Sequence, residues 1–185
     1  MYLSSQTKTG LNFQYTIVDL AGFATWCCEN RELVPIFELY LSDARGRPSN
    51  TFDLFREALQ NPVSQSTYFL IAVAHHDPLL PNSTRQDIAS FFRFTLNTAT
   101  MVGVLGGAVY VNGKFRNHGL ATKCIQLLLR HVSDQQSTPF ECHIGVLRNN
   151  LAAVKVYERL CTLYTGSGFL HTGENDIIFK LKVSP

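Results

Sequence analysis

The segment VLGGAVYV (104–111) runs through NGKF (112–115) into RNHGLA (116–121) and then TKCIQLLLRHV (122–132). The first piece is a continuous apolar run and reads as a strand. The last piece repeats its apolar residues at helical spacing. The turn between them carries a cation, a residue without a side chain and a small alanine. Gly119 has no Cβ, so a ligand can approach its backbone closely. The N–H groups that open the following helix have no intrahelical partner, and the helix dipole attracts negative charge to them. Arg116 adds a fixed positive charge at the rim, and Ala121 keeps the crevice shallow. Such a turn suits a phosphate group. The competing reading is a tight strand-to-helix connection without a ligand.

Charge supports the first reading. From Ile88 to Ser133 the chain contains no Asp or Glu, yet it contains Arg93, Lys114, Arg116, Lys123 and Arg130. The total over 185 residues is only +2. That total gives no ground for a nucleic-acid partner. No nucleic-acid-binding motif is visible, and most aromatic residues lie outside the basic stretch.

The remaining bounds are ordinary. Hydrophobic residues make up 45% and charged residues 16%, which suits one globular domain over 1–185 with a full core. No apolar run approaches the roughly 20 residues of a membrane-spanning helix, so no membrane association is expected. No basic, apolar leader opens the chain. Cys27, Cys28, Cys124, Cys142 and Cys161 form no regular framework and no CxxC pair. Unpaired thiols in a reducing cytoplasm are the expectation. His75-His76-Asp77 does not suggest a metal site, because adjacent strand residues point to opposite faces. No third ligand is suitably spaced, and no metal is expected.

Working outward, Phe13 to Val18 alternates as a strand, and Asp19 is available to cap a helix over 19–28. Leu33 to Leu41 reads as a second helix, ended by Arg45-Gly46-Arg47-Pro48-Ser49. Thr51 to Leu59 reads as a third, with Phe52, Phe55 and Leu59 on its apolar face. It should end at Asn61-Pro62. Tyr68 to Ala74 suits a buried strand. His75 to Asp87 reads as a surface loop, including the sequon Asn82-Ser83-Thr84. Ile88 to Leu96 and Met101 to Val111 read as strands around a turn at Asn97-Thr98. A helix follows over 120–132. Phe140 to Leu147 is a strand, with Phe140, Cys142, Ile144 and Val146 on one face and Glu141 and His143 on the other. Asn150 to Leu160 is helical, and Asp176 to Val183 is a last strand. The fold class is mixed α/β (α+β) around one core.

Three motifs in order now carry a resemblance. Arg116-x-x-Gly119-x-Ala121 after a strand resembles the acyl-CoA-binding turn of the GCN5-related N-acetyltransferase (GNAT) superfamily. Asn150-Leu151-Ala152-Ala153-Val154-Lys155-Val156-Tyr157 is similar to that family's Asn-x-x-Ala-x-x-apolar-Tyr helix. Gly168-Phe169 resembles the pair that usually follows it. The likeness covers about residues 68–183, and residues 13–60 fit by order of elements. It implies a mostly antiparallel central sheet with helices on both faces and a cofactor-binding core at about 100–160. Cys161 to Ser167 lengthens the link after the Tyr157 helix. The loop from His75 to Asp87 is also long, and Gly113 stands where the family often has Pro.

The resemblance implies an acetyl-CoA-dependent N-acetyltransferase, with acetyl-CoA or CoA bound as acyl donor and a primary amine as acceptor. The amine attacks the thioester directly, so no nucleophilic cysteine is needed. Val109, Tyr110 and Val111 would receive the pantetheine arm like an added strand. Arg116, Asn117, His118, Gly119, Leu120, Ala121 and Thr122 would hold the phosphates. Tyr157 stands at the family's general-acid position, where a protonated phenol can donate to the departing thiolate. It is otherwise a packed helix tyrosine. Asn150 either caps its helix or contacts the ligand. Glu141 is the candidate base, with His143 beside it, and is otherwise a solvated or salt-bridged carboxylate.

The acceptor stays open between a small molecule and a protein amine. Glu29, Glu32, Glu38 and Asp43 in the early helices would suit a cationic amine, or form a solvated face. A non-catalytic CoA-binding or protein-interaction module on the same fold is the alternative to an enzyme.

Overall fold

The computed structural model describes residues 2–6, 12–60, 64–75 and 86–185. Of the expected loop from His75 to Asp87, residues 76–85 with the sequon and His76-Asp77 lie outside the described residues, as does the Asn61-Pro62 stop, whereas His75 and Asp87 are themselves strand residues.

The chain builds one eight-stranded sheet in the order β1-β2-β3-β4-β5-β6-β8-β7. Its strands are β1 (Tyr2–Gln6), β2 (Asn12–Asp19), β3 (Gln65–His75), β4 (Asp87–Asn97), β5 (Val102–Val111), β6 (Phe140–Leu147), β7 (Gly168–Thr172) and β8 (Asp176–Val183). Every neighbouring pair is antiparallel except β5 and β6. Among the described residues five α-helices flank it: α1 (Leu20–Glu29), α2 (Val34–Arg45), α3 (Thr51–Leu59), α4 (Leu120–Ser133) and α5 (Leu151–Leu163).

The period-2 alternation of the strands divides the interior into two cores. On one face Phe69, Ile71 and Val73 of β3 pack with Phe23 and Trp26 of α1, Phe37 and Leu41 of α2, and Leu54 of α3. On the other, Leu70, Ala72 and Ala74 of the same strand pack with Ile125, Leu128 and Leu129 of α4 and Leu160 of α5. A strand buried on both faces reads as an unbroken apolar run, which is why 68–74 showed no alternation. The α4 face and the α1–α3 face together enclose the sheet, as the mixed α/β reading required.

Local signals set most of the helix ends. Asp19 accepts the Gly22 N–H at 2.8 Å and caps α1. Asn50 and Asp53 form a reciprocal capping box on α3. Gly46 ends α2 at φ +62°.

Two expectations need correction. The apolar face of α3 is not Phe52–Phe55–Leu59: Phe52 and Leu59 are exposed, and Leu54 and Ala58 are buried. The three expected positions lie within about 60° of one another on the helix, but α3 docks with a neighbouring face, through Leu54 in the core and through Glu57 on Arg45 and Arg93. The apolar spacing of Leu33 to Leu41 covered only part of the second helix, which runs from Val34 to Arg45 and ends at the expected break, with Gly46 as its cap. The strand β1 was not read from the sequence at all.

Candidate active site

The site begins where the sheet comes apart. β5 pairs in parallel with β6 only from Val102↔Glu141 to Leu105↔Ile144. Beyond Leu105 the two strands diverge, although β6 stays paired with β8 as far as Leu147↔Asp176. The cause lies on the opposite edge of β5. Phe92 pairs with Val109 and Phe94 with Leu105, so Gly106, Gly107 and Ala108 together face Arg93 alone. Two extra residues bulge out of β5 and bend it. Gly107 takes φ +75° there, which an L side chain resists. Because the insertion is even, Leu105 and Val109 still share the α4 face.

The divergence leaves a cleft of about 1010 Å³. One wall is β5 from Leu105 to Val111, and the other is Gly145 to Leu147 of β6 with Ala153, Val156 and Tyr157 of α5. A second hollow of about 820 Å³, beside Asp19, Tyr68 and His131, shares no residue with it.

At one end the cleft reaches the glycine turn. Arg116, Asn117, Gly119, Leu120, Ala121 and Thr122 all line it. Gly119 is the N-cap of α4 at φ +72°, and no side chain caps this helix. A Cβ built on Gly119 would meet nothing within 4 Å. The first-turn N–H groups therefore face open space, as an anion site requires. Asn117 also has a positive φ, +67°, a conformation that Asn tolerates better than most residues. The turn is anchored from behind. Asn112, buried, donates through Nδ2 to Tyr40 Oη at 2.9 Å and to the Ile88 carbonyl at 3.2 Å, and accepts from Lys114 N–H.

Tyr157 stands on the opposite wall. It is 6% exposed, with its ring 5.7 Å from that of Phe179. Burial, aided by the neighbouring Cys142, pushes its phenol up to about 12. The hydroxyl therefore stays protonated and is available to donate. Asn150 does two things at once: it caps α5 by accepting the Ala153 N–H at 3.2 Å, and it lines the cleft.

Residues 37–162 match the model of the Acetyltransferase (GNAT) family. The chain belongs to the GNAT acetyltransferase family. It is an acyltransferase. Solved GNAT structures share its fold. The GNAT domain of PAT from S. lividans superposes with a TM-score of 0.61 at 11% identity, covering 98% of this chain and 96% of that one. The ribosomal-protein-S18-alanine N-acetyltransferase of Escherichia coli gives 0.54 at 16% identity, with 92% and 95% covered. A chain of the NatC complex bound to Gag peptide and CoA gives 0.54 at 17% identity, with 94% and 98% covered. No curated protein matches the chain in sequence.

Within this GNAT fold, the expected donor-site residues converge, with one exception. Val109, Tyr110, Val111, Arg116, Asn117, Gly119, Leu120, Ala121, Thr122, Asn150 and Tyr157 line one cleft, and His118 does not. Glu141, the expected base, stands apart from the cleft. It pairs with Val102, three positions before the strands part, and does not line the cleft. Its carboxylate accepts from His143 Nε2 at 3.3 Å and meets Lys180 Nζ at 3.5 Å. The His143 hydrogen bond, with the Lys180 charge behind it, holds this carboxyl below the usual carboxylate range. A carboxylate so stabilised is a weak base. Strand parity put Glu141 and His143 together correctly, but parity carries no information about which end of a strand borders a cleft.

The acidic early-helix residues are also reassigned. Of Glu29, Glu32, Glu38 and Asp43, only Asp43 lines the cleft. Glu38 Oε1 accepts both the N–H and the hydroxyl of Thr51, at 2.9 and 2.8 Å, and joins α2 to α3. The residues that do face that part of the cleft are Arg45, Arg47 and Glu57. The Gly106-Gly107 pair inside an apolar strand was a legible signal of a bulge. Glu57 had no sequence signal, because its partners are distant in the chain.

Proposed function

We propose that this GNAT protein transfers an acetyl group from acetyl-CoA to a primary amine by direct attack. The single observation that carries the reading is the open edge of β5. It runs from the bulge at Gly107 into the uncapped turn at Gly119, with the protonated phenol of Tyr157 across the cleft. An extended pantetheine arm matches an unpaired strand edge, and a pyrophosphate matches free helix N–H groups beside Arg116.

The chemistry follows from those groups. A neutral amine attacks the thioester carbon, the new C–N bond forms and the C–S bond breaks. The amine releases its proton towards solvent, the departing thiolate takes one from Tyr157, and the Tyr157 phenolate regains a proton from solvent. A thiol in water titrates near 8.5, well below the Tyr157 phenol. Burial raises the thiolate's proton affinity as it raises that of the phenol. Tyr157 therefore acts first as a hydrogen-bond donor to the developing charge. No carboxylate of the cleft is needed as an obligate base if the amine arrives neutral. Five free thiols support a cytoplasmic setting.

The test is a thermal shift with acetyl-CoA, against free CoA and ATP. Ligand at about 100 times its Kd should add roughly 2.7 kcal/mol to stability. A shift with acetyl-CoA and CoA but not ATP supports the reading. No shift at millimolar acetyl-CoA would remove it.

A further inference from the structure

Three charged side chains from three elements meet behind the bulge of β5, with the exposed Arg47 at 3.8 Å from Glu57 beside them. Arg45, at the end of α2, donates through Nε to the Gly107 carbonyl at 2.8 Å. Its two other nitrogens bond both carboxylate oxygens of Glu57, on α3, at 2.9 and 2.8 Å. Arg93, the β4 residue that faces the bulge alone, donates to Glu57 Oε2 at 2.8 Å. The side chains of Arg45 and Arg93 are only 8% and 10% exposed.

Two guanidinium ions this buried and this close would repel each other without a carboxylate between them. Burial alone would raise the Glu57 carboxyl, but Arg45 and then Arg93 outweigh it and hold it below the usual carboxylate range. Glu57 is thus ionised and fully engaged, which makes it unfit to collect a proton from an amine. Its geometry suits a different task. A trans peptide sets its C=O and N–H antiparallel. Holding the Gly107 carbonyl on Arg45 therefore fixes the direction of the Ala108 N–H as well. Arg93 approaches the same residue: a Cβ on Gly107 would lie 3.4 Å from its Nη1.

We propose that Glu57 is a positioning residue, which draws Arg45 and Arg93 together against the Gly106–Ala108 bulge and so holds β5 in the bent course that receives the acyl donor. This rests on the reading of the cleft as the acetyl-CoA site. The distinguishing feature is that the clamp comes from α2 and α3, on the face of the sheet opposite α4 and its phosphate turn.

The test uses the full chain with Glu57→Gln, which removes the charge and keeps the shape. Arg45→Lys is the second variant. It keeps the charge but cannot reach the Gly107 carbonyl and both Glu57 oxygens together. Amide hydrogen exchange without ligand is compared over 105–111 and over α4, and the Kd for acetyl-CoA is measured alongside. Exchange over 105–111 should quicken about tenfold in both variants while α4 is unchanged, and the Kd should rise about five- to tenfold in both; Glu57→Gln should lower Tm as well, because it leaves two buried guanidinium ions without their carboxylate. A side chain that merely added stability would lower Tm and leave the Kd alone. Unchanged exchange over 105–111 would overturn the clamp, and faster exchange with an unchanged Kd would overturn its role in donor binding. If Glu57→Gln does not fold, Arg45→Lys decides by the same readings. Wild-type protein that binds no acetyl-CoA would instead remove the proposed function and the donor-binding role together. The exchange comparison would still decide whether Glu57 holds the bulge.

Discussion

Leu105 pairs with Ile144, and it is the last residue of β5 to have a partner on β6. From that pair onward one strand follows β4 and the other follows β8, and the gap between them is the cleft. The position of the gap follows from the two extra residues at Gly106–Gly107, so the chemistry of the site depends on a backbone irregularity as much as on side chains.

Gly119 is the first position to test. Its φ of +72° disfavours any side chain, by roughly 1–2 kcal/mol, although space for a Cβ exists. Gly119→Ala should therefore cost about that much in a melting experiment. Gly119→Glu should also weaken acetyl-CoA binding by about tenfold or more, because its carboxylate competes for the helix N–H groups. Equal affinities for Gly119→Glu and wild type by calorimetry would rule out the turn as the phosphate site.

Tyr157→Phe separates chemistry from binding. Among the described residues no group hydrogen-bonds the Tyr157 hydroxyl, so the substitution should change stability by less than about 1 kcal/mol. The turnover rate should fall roughly 100-fold, while the Kd for acetyl-CoA stays within a few-fold. A rate within twofold of wild type would mean that another group protonates the thiolate.

The same phenol sets an expectation for pH. A tyrosine in water titrates near 10, and Tyr157 is raised to about 12. Raising the pKa extends the protonated, donating form to higher pH. The rate should therefore climb with pH as the acceptor amine loses its proton, without a fall attributable to Tyr157 below about pH 10. A declining limb centred between about 8 and 10, present in wild type and absent in Tyr157→Phe, would contradict this.

Glu141→Gln should be nearly silent. The carboxylate is partly exposed, bonded to His143 and Lys180, and outside the cleft. Surface pairs of this kind contribute about 0–1 kcal/mol. Activity within twofold of wild type is the expected result of a steady-state assay, and a tenfold loss would restore Glu141 as a candidate base.

Gly103 tests the packing of β5 before it bends. A Cβ there would run into the Phe94 ring. Gly103→Val should cost roughly 1–3 kcal/mol by overpacking. Gly103→Val with Phe94→Leu should recover part of that loss, since contacting sites are not additive. Full additivity of the two substitutions in denaturant melts would show that the ring moves aside freely.

The sequence by itself determined the elements whose signals are local. Asp19, Asn50 and Asn150 cap their helices, Gly46 ends another, and Gly119 introduces α4 in a conformation few residues adopt. The alternation of Phe140 to Val146 against Glu141 and His143 survived intact. Each of these depends on residues a few positions apart, where chain geometry leaves little choice. The long-range decisions were different. Glu57 meets Arg45 across 12 positions and Arg93 across 36, and Arg45 meets Gly107 across 62. Glu141 and Glu38 lie outside the cleft, because position along a strand or helix does not say which end borders a cavity. Only the tertiary structure brings α2, α3 and β4 onto one bulge, because burial of two apolar sheet faces, not local propensity, sets where the helices dock.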